Sequence, residues 1–204
     1  MTAHATCRRV GIVGGSGAGK TWLAARLQRR LGARASRLSL DDFYLDRSRL
    51  SADRRARINF DHPRAIDWPL VEQALRACAA GRPFPVPRYD FSTHSRVDGE
   101  QLLRPAPFII VDGLWLFSKP SIRSLFDLRI YLDCPVRLRL DRRIARDCAE
   151  RGRNRASVRD NFWGVVTPMH KRFVASQKRW AHLVVKSPSD ARHIRQLARL
   201  VQTF

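Results

Sequence analysis

Residues 14 to 21 read GGSGAGKT, and no other stretch constrains the fold of this 204-residue chain as strongly. The run fits the spacing G-x-x-x-x-G-K-[ST]. An apolar stretch, Val10 to Val13, precedes it. Lys20 to Leu31 follows, with Leu23, Leu27 and Leu31 at helical spacing and Ala24 and Ala25 beside them. Strand, glycine-rich turn and helix in this order form a cradle for phosphate. Glycines let the backbone wrap an anion without a Cβ in the way. The backbone of Gly14, Gly15, Ser16, Gly17, Ala18 and Gly19, with the helix N-terminus, offers partial positive charge. Lys20 is placed to reach the outer phosphates of a nucleotide, and the Thr21 hydroxyl to ligate Mg²⁺. The competing reading is a glycine-rich turn with a chance Lys-Thr, which leaves the flanking strand and helix unexplained.

The rest of the chain alternates strand and helix signals. Leu38 to Leu40, Phe108 to Val111, Leu128 to Leu132 and His182 to Lys186 read as strands. Asp67 to Ala80, Val136 to Glu150 and Ala191 to Val201 read as helices. Alternation of this kind predicts an α/β fold, a parallel sheet flanked by helices. Residues 83 to 107 differ. They are rich in Pro, Ser and aromatics, with turn signals around Asp98 and Gly99, and they predict a β-hairpin insertion. The expected organisation is one domain over residues 1 to 204, with that insertion and an Arg-rich lid at about 137 to 155.

Carboxylates follow two of the strands. In a parallel sheet, ligands gather at the carboxyl ends of strands. Asp41 and Asp42 come after Leu38 to Leu40, so one of them can face the outer phosphate, as proton acceptor or Mg²⁺ ligand. A helix cap is the alternative role for this pair. Asp112 ends Phe108 to Val111, the usual place for a metal-side carboxylate in nucleotide-phosphate sites; with Gly113 it can also be a plain turn.

Charge bears on partners. The chain holds 39 Lys and Arg against 18 Asp and Glu, a formal +21, and only five of the 39 are Lys. A field of this sign attracts polyanions. No aromatic-interleaved basic motif accompanies it, so no specific nucleic-acid partner is expected. No apolar run approaches the ~20 residues needed to span a bilayer. Met1 to Arg9 lacks the apolar segment of a signal peptide, so the expected location is the cytoplasm. Cys7, Cys78, Cys134 and Cys148 have no metal-site spacing and read as reduced thiols.

Five further runs resemble the uridine kinases: LSLDDFY (38–44), NFDHPRAID (59–67), VPRYDFSTHSR (86–96), IIVDG (109–113) and RRIARDCAERGR (142–153). With the phosphate loop, the likeness covers most of residues 10 to 155. It implies a P-loop NTPase fold and transfer of a phosphoryl group from ATP or GTP, with Mg²⁺, to the 5′-hydroxyl of uridine or cytidine. Carried over by position, Asp41 is the base, with Lys20, Arg146 and Arg151 assisting at the phosphates. Asp61 binds ribose hydroxyls, and Tyr89 and His94 read the pyrimidine edge. Phe60 and Phe91 line the base pocket, and Tyr44 shapes it. Arg143 and Arg153 contact ribose or substrate. Thr21, Asp41 and Asp112 form the metal side. The family often has Glu where Asp112 stands; for the Gln it places after the lid, the nearest match by spacing is Asn161. Related enzymes often form homo-oligomers.

Other acceptors fit the same chemistry: nicotinamide riboside, pantothenate or a sugar phosphate. TPMHKRF (167–173) and the DDF turn are similar to nicotinamide riboside kinases. A reading of another class is a nucleotide-gated RNA-binding or regulatory protein, motivated by the charge.

Overall fold

In the computed structural model, which describes residues 7–91 and 93–204, β1 (Arg8–Gly14) runs through the middle of a five-stranded sheet. It pairs in parallel with β5 (Phe108–Gly113) on one side and β6 (Leu128–Asp133) on the other. β2 (Ala35–Ser39) lies outside β5, and β7 (Leu183–Lys186) outside β6. The order β2-β5-β1-β6-β7, all parallel, places the ends of β1, β2 and β5 side by side. In parallel sheets, ligands gather at that edge.

Alternation along the strands builds two cores. Val10 and Ile12 of β1, with Phe108 and Ile110 of β5, face α1 (Lys20–Leu31) and α8 (Ala191–Thr203). Val13, Ile109 and Val111 face the opposite way. There they meet α3 (Trp68–Ala79) and the segment around α4 (Pro120–Arg123). α1 turns Leu23, Ala24, Leu27 and Leu31 inward, the face its spacing predicts. α3 begins where Asp67 accepts a hydrogen bond from the Leu70 amide at 3.2 Å. A five-residue helix, α2 (Ala52–Ala56), sits on the loop between β2 and α3.

The hairpin is present as β3 (Phe84–Asp90) and β4 (Ser95–Leu103). Its turn is not where the sequence places it. Asp98 and Gly99 lie inside β4, and the chain reverses between Asp90 and Ser95. The register jumps from Val86 opposite Gln101 to Arg88 opposite Val97, so residues 98 to 100 face Pro87 alone. Pro87 has no N–H to give the ladder, and Gly99 takes φ +90°, which makes the glycine signal a bulge instead of a turn. Arg96 ties the hairpin to the main body. Its Nη2 donates to Asp67 Oδ2 at 3.0 Å and its Nε to the Tyr44 carbonyl at 3.2 Å.

α5 (Val136–Arg151) is the Arg-rich helix, ended by Gly152 in the left-handed region. α6 (Arg155–Asn161) opens a helical run to Trp180 that holds π-helical turns on either side of α7 (Thr167–Met169). Sequence periodicity leaves this run unassigned, since Gly164 and Pro168 interrupt it. What holds it is a buried side: Phe162, Val166, Val174 and Gln177. The Gln177 amide donates to the carbonyls of Leu114 and Phe173, both at 2.8 Å, and accepts from the Phe117 amide. Among the described residues, no helix is long and apolar enough to cross a membrane.

Candidate active site

A cavity of about 1030 Å³ opens at the carboxyl end of the sheet. The phosphate loop forms one end. Ser16, Gly17, Gly19, Lys20 and Thr21 line it, while Gly14, Gly15 and Ala18 lie behind the wall. Gly17 holds φ +77°, and a Cβ there would run into the Arg139 backbone, so both conformation and space require glycine. Lys20 Nζ donates to the Gly15 carbonyl at 3.1 Å, which folds the ammonium back into the loop. Burial holds that ammonium below its usual pKa, against the opposing pull of Asp41 and Asp112.

Beside Lys20 stand the carboxylates. Ser39 Oγ accepts from the Asp41 amide at 3.2 Å and starts a 3₁₀ turn, Leu40–Phe43. The cap is therefore Ser39, and Asp41 is left to line the cavity. Asp112, at the end of β5, is 2 % exposed. Its Oδ2 accepts from Thr21 Oγ1 at 2.7 Å, and its Oδ1 is buried with no hydrogen-bond partner among the described residues. A buried, half-satisfied carboxylate beside a hydroxyl and a second acid is the oxygen donor set that Mg²⁺ uses together with phosphate oxygens. Burial raises the Asp112 pKa, the Thr21 hydrogen bond opposes this and the charge of Asp41 adds to it.

Asp42 points the other way, into a smaller cleft of about 210 Å³ shared with Arg37, Val86 and Gln101. Burial, with Asp41 and Asp112 adding to it, pushes its carboxyl up to about 6. The folded protein therefore holds the proton more tightly than the unfolded chain. The sign follows: this proton's contribution to stability is present in acid and is lost as pH rises through about 6. Asp42→Asn is expected to raise Tm relative to the parent at pH 8, with the gain vanishing near pH 4. A gain that is flat from pH 4 to 8 in thermal melts would contradict that assignment.

The far end of the cavity is aromatic. Phe60 and His94 stack at 3.9 Å, with planes 8° apart. Phe91 lies edge-on to Tyr44, and the Tyr44 hydroxyl donates to the Phe60 carbonyl at 3.1 Å. His94 takes φ +54°, and its Nδ1 is buried without a partner among the described residues. Burial and the nearby Arg151 and Arg55 lower its pKa, so at pH 7 it is neutral and offers one donor and one acceptor. Asp61 lies at the same end, its pKa raised by burial and held back by Arg143. Tyr89 is not on the cavity wall. It packs behind Tyr44 and Phe91, 5.1 Å from each ring, with its hydroxyl buried and, among the described residues, unpartnered.

Arginines join the two ends. Five of the eight between 137 and 155 line the cavity: Arg142, Arg143, Arg146, Arg151 and Arg153. Arg143 spans the halves. Its guanidinium donates to Ser16 Oγ at 2.8 Å and Asn161 Oδ1 at 3.0 Å, and lies 3.7 Å from Asp61 Oδ1. Arg151 stands 4.5 Å over the Phe91 ring.

Sequence reasoning missed what organises them. Asp147 has no exposed side-chain surface and is shared by Arg143 (3.4 Å), Arg146 (2.8 Å), Arg151 (3.8 Å) and Arg153 (4.0 Å). Its position four residues after Arg143 was a usable signal. Arg142 was missed as well. It donates to the Ala18 carbonyl at 3.1 Å and to Ser187 Oγ at 3.0 Å, so it braces the phosphate loop.

The chain is 34% identical over 193 residues to the uridine kinase of Halobacterium salinarum, covering 95% of this chain and 86% of that one. It is 39% identical over 176 residues to the uridine kinase of Chloroflexus aggregans, covering 86% and 84%. Among solved structures, phosphoribulokinase from Rhodobacter spheroides aligns with TM-score 0.67 at 17% identity, over 89% of this chain and 70% of that one. D-glycerate 3-kinase from Cryptococcus neoformans aligns with TM-score 0.63 at 17% identity, over 89% and 86%. These last two likenesses speak to the fold alone. The model of the Phosphoribulokinase / Uridine kinase family matches residues 9–192, and the chain belongs to this family of phosphotransferases that act on an alcohol group.

Proposed function

We propose that the chain transfers the γ-phosphoryl group of ATP or GTP to the 5′-hydroxyl of uridine or cytidine, giving UMP or CMP. The observation that carries this reading is one continuous cavity with a phosphate cradle at one end and a stacked aromatic pair beside a carboxylate at the other. Two relatives bearing the name uridine kinase support the acceptor.

The chain's own groups divide the work. Lys20 and the loop amides hold the donor phosphates. Asp61 accepts hydrogen bonds from ribose hydroxyls. Phe60, Phe91 and His94 hold the base, with Tyr44 and Tyr89 supporting that wall. Asp41 accepts the proton of the 5′-hydroxyl as the phosphoryl group leaves the donor. Arg146 and Arg151 neutralise charge on the transferring group, while Arg143 and Arg153 keep the two halves in register. Thr21, Asp41 and Asp112 would hold Mg²⁺, which supplies charge neutralisation between the phosphates. Water is excluded as the arginines close on both substrates, which protects the donor from hydrolysis.

The test is a coupled kinase assay with Mg²⁺, each donor, and a panel of uridine, cytidine, nicotinamide riboside, pantothenate and a sugar phosphate. UMP from uridine is the expected product. Preference for another acceptor keeps the chemistry and replaces the substrate; turnover of none overturns the proposal. Weak, salt-sensitive RNA binding with normal turnover disposes of the RNA reading. Replacing the base-side ring should act on one substrate. His94→Asn, which tolerates positive φ, is expected to raise the uridine KM by roughly tenfold and leave the donor KM unchanged. Equal changes in both would contradict a role in reading the base.

A further inference from the structure

Behind the phosphate loop lies a charge that the reaction as described does not use. Arg139, in the first turns of α5, is 4 % exposed. Among the described residues, its Nε and Nη1 have no hydrogen-bond partner. Among the described residues, no carboxylate forms an ion pair with it; Asp133, which attracts it, is paired with Lys178 at 2.9 Å. Its guanidinium carbon lies 5.7 Å from the centroid of the buried Phe162 ring. On its other side the guanidinium presses on the loop, where a Cβ at Gly15 would stand 3.0 Å from Arg139 Cδ and Cζ. The Arg139 backbone carbonyl closes on Gly17 in the same way.

The surroundings do not neutralise this guanidinium. Lys20, at the start of α1, is a like charge. His170 is pushed down to about 4, by burial first and by Arg139 next, and its Nδ1 is also unpartnered among the described residues. A buried cation without a counter-ion destabilises a fold. Proteins break such rules at functional sites, where the missing partner arrives with the ligand. Arg139 does not line the cavity; it lies against Gly15 and Gly17 of the loop that does. At separations of several ångströms in a poorly solvated site, a unit charge still acts strongly on an anion.

We propose that Arg139 is a positioning residue of the donor site: from behind Gly15 it seats the phosphate loop and adds positive potential to it, and its charge is compensated when donor phosphates bind. The inference rests on the reading of this loop as the donor site. It assigns Arg139 a cost in the free protein and a gain in the nucleotide complex.

Two substitutions in the full chain separate charge from packing. Arg139→Met keeps the apolar stem and removes the charge; Arg139→Lys keeps the charge. Without nucleotide, Arg139→Met is expected to melt about 3 °C above the parent. Its gain in Tm from a fixed concentration of Mg-ATP is smaller than the parent's. Its donor KM is raised roughly tenfold, with the uridine KM within about twofold. Arg139→Lys holds the donor KM within about threefold of the parent. An Arg139→Met chain that fails to fold, or melts lower with an unchanged donor KM, makes Arg139 a packing residue and overturns the proposal. So does a Lys variant as impaired as the Met variant. The parent protein is the control: if Mg-ATP does not raise its Tm, the donor-site reading itself fails. If the parent and Arg139→Met gain equally, only the role of Arg139 fails.

Discussion

Asp41→Asn is expected to lower kcat by about a thousandfold while Mg-ATP still raises Tm as it does for the parent. The substitution keeps shape and removes the ability to take a proton. The 3₁₀ turn that carries Asp41 is capped by Ser39 Oγ and the Asp41 amide, neither of which the change touches. The fold should therefore survive, and the loss should fall on the chemical step. Asp41 also belongs to the group assigned to Mg²⁺, so the assay needs a second arm. If raising Mg²⁺ restores most of the rate, Asp41 acts through the metal; a rate that stays low at saturating Mg²⁺ is the expected result. Retained kcat at ordinary Mg²⁺ would remove Asp41 from the role of base.

Asp147→Ala is expected to cost about 3 kcal/mol of stability, a fall in Tm of roughly 8 °C, and to reduce turnover as well. Four guanidiniums share this one carboxylate, and its side chain is wholly buried. Removing it leaves Arg143, itself 7% exposed, beside uncompensated positive charge. The estimate sits at the low end for a broken buried pair because Arg146, Arg151 and Arg153 keep about a third of their surface in water. The sign of the nucleotide effect is informative. A triphosphate supplies the missing negative charge, so Mg-ATP should stabilise Asp147→Ala at least as much as the parent. A variant with the parent's Tm would show that the four arginines do not depend on Asp147.

Much of the site was legible in the order of residues because its rules are local. GGSGAGKT needs only backbone geometry and a following helix to become an anion cradle, and both are written within eighteen residues. Asp41 and Asp112 could be named because a carboxylate just past a buried parallel strand falls on the ligand edge of the sheet. Where a local signal has two meanings, sequence alone misleads. Gly99 has the composition of a turn and serves as a bulge, since Pro87 on the facing strand cannot continue the ladder. Residues 162 to 177 carry no clean period, because their buried face is set by what they pack against.

The sequence by itself determined the parallel α/β architecture, the phosphate loop and the candidate carboxylates, all of which follow from spacing along one stretch of chain. Tertiary structure decided where each arginine lies and what it contacts. Sequence shows eight alike between 137 and 155. Folding turns five toward the cavity, gathers four around Asp147 and buries Arg139 behind Gly15. It also withdraws Tyr89 from the wall that its motif assigns it. The reason is physical: a guanidinium's role depends on the charge and burial around it, and those come from segments up to 127 residues apart, such as Ser16 and Arg143.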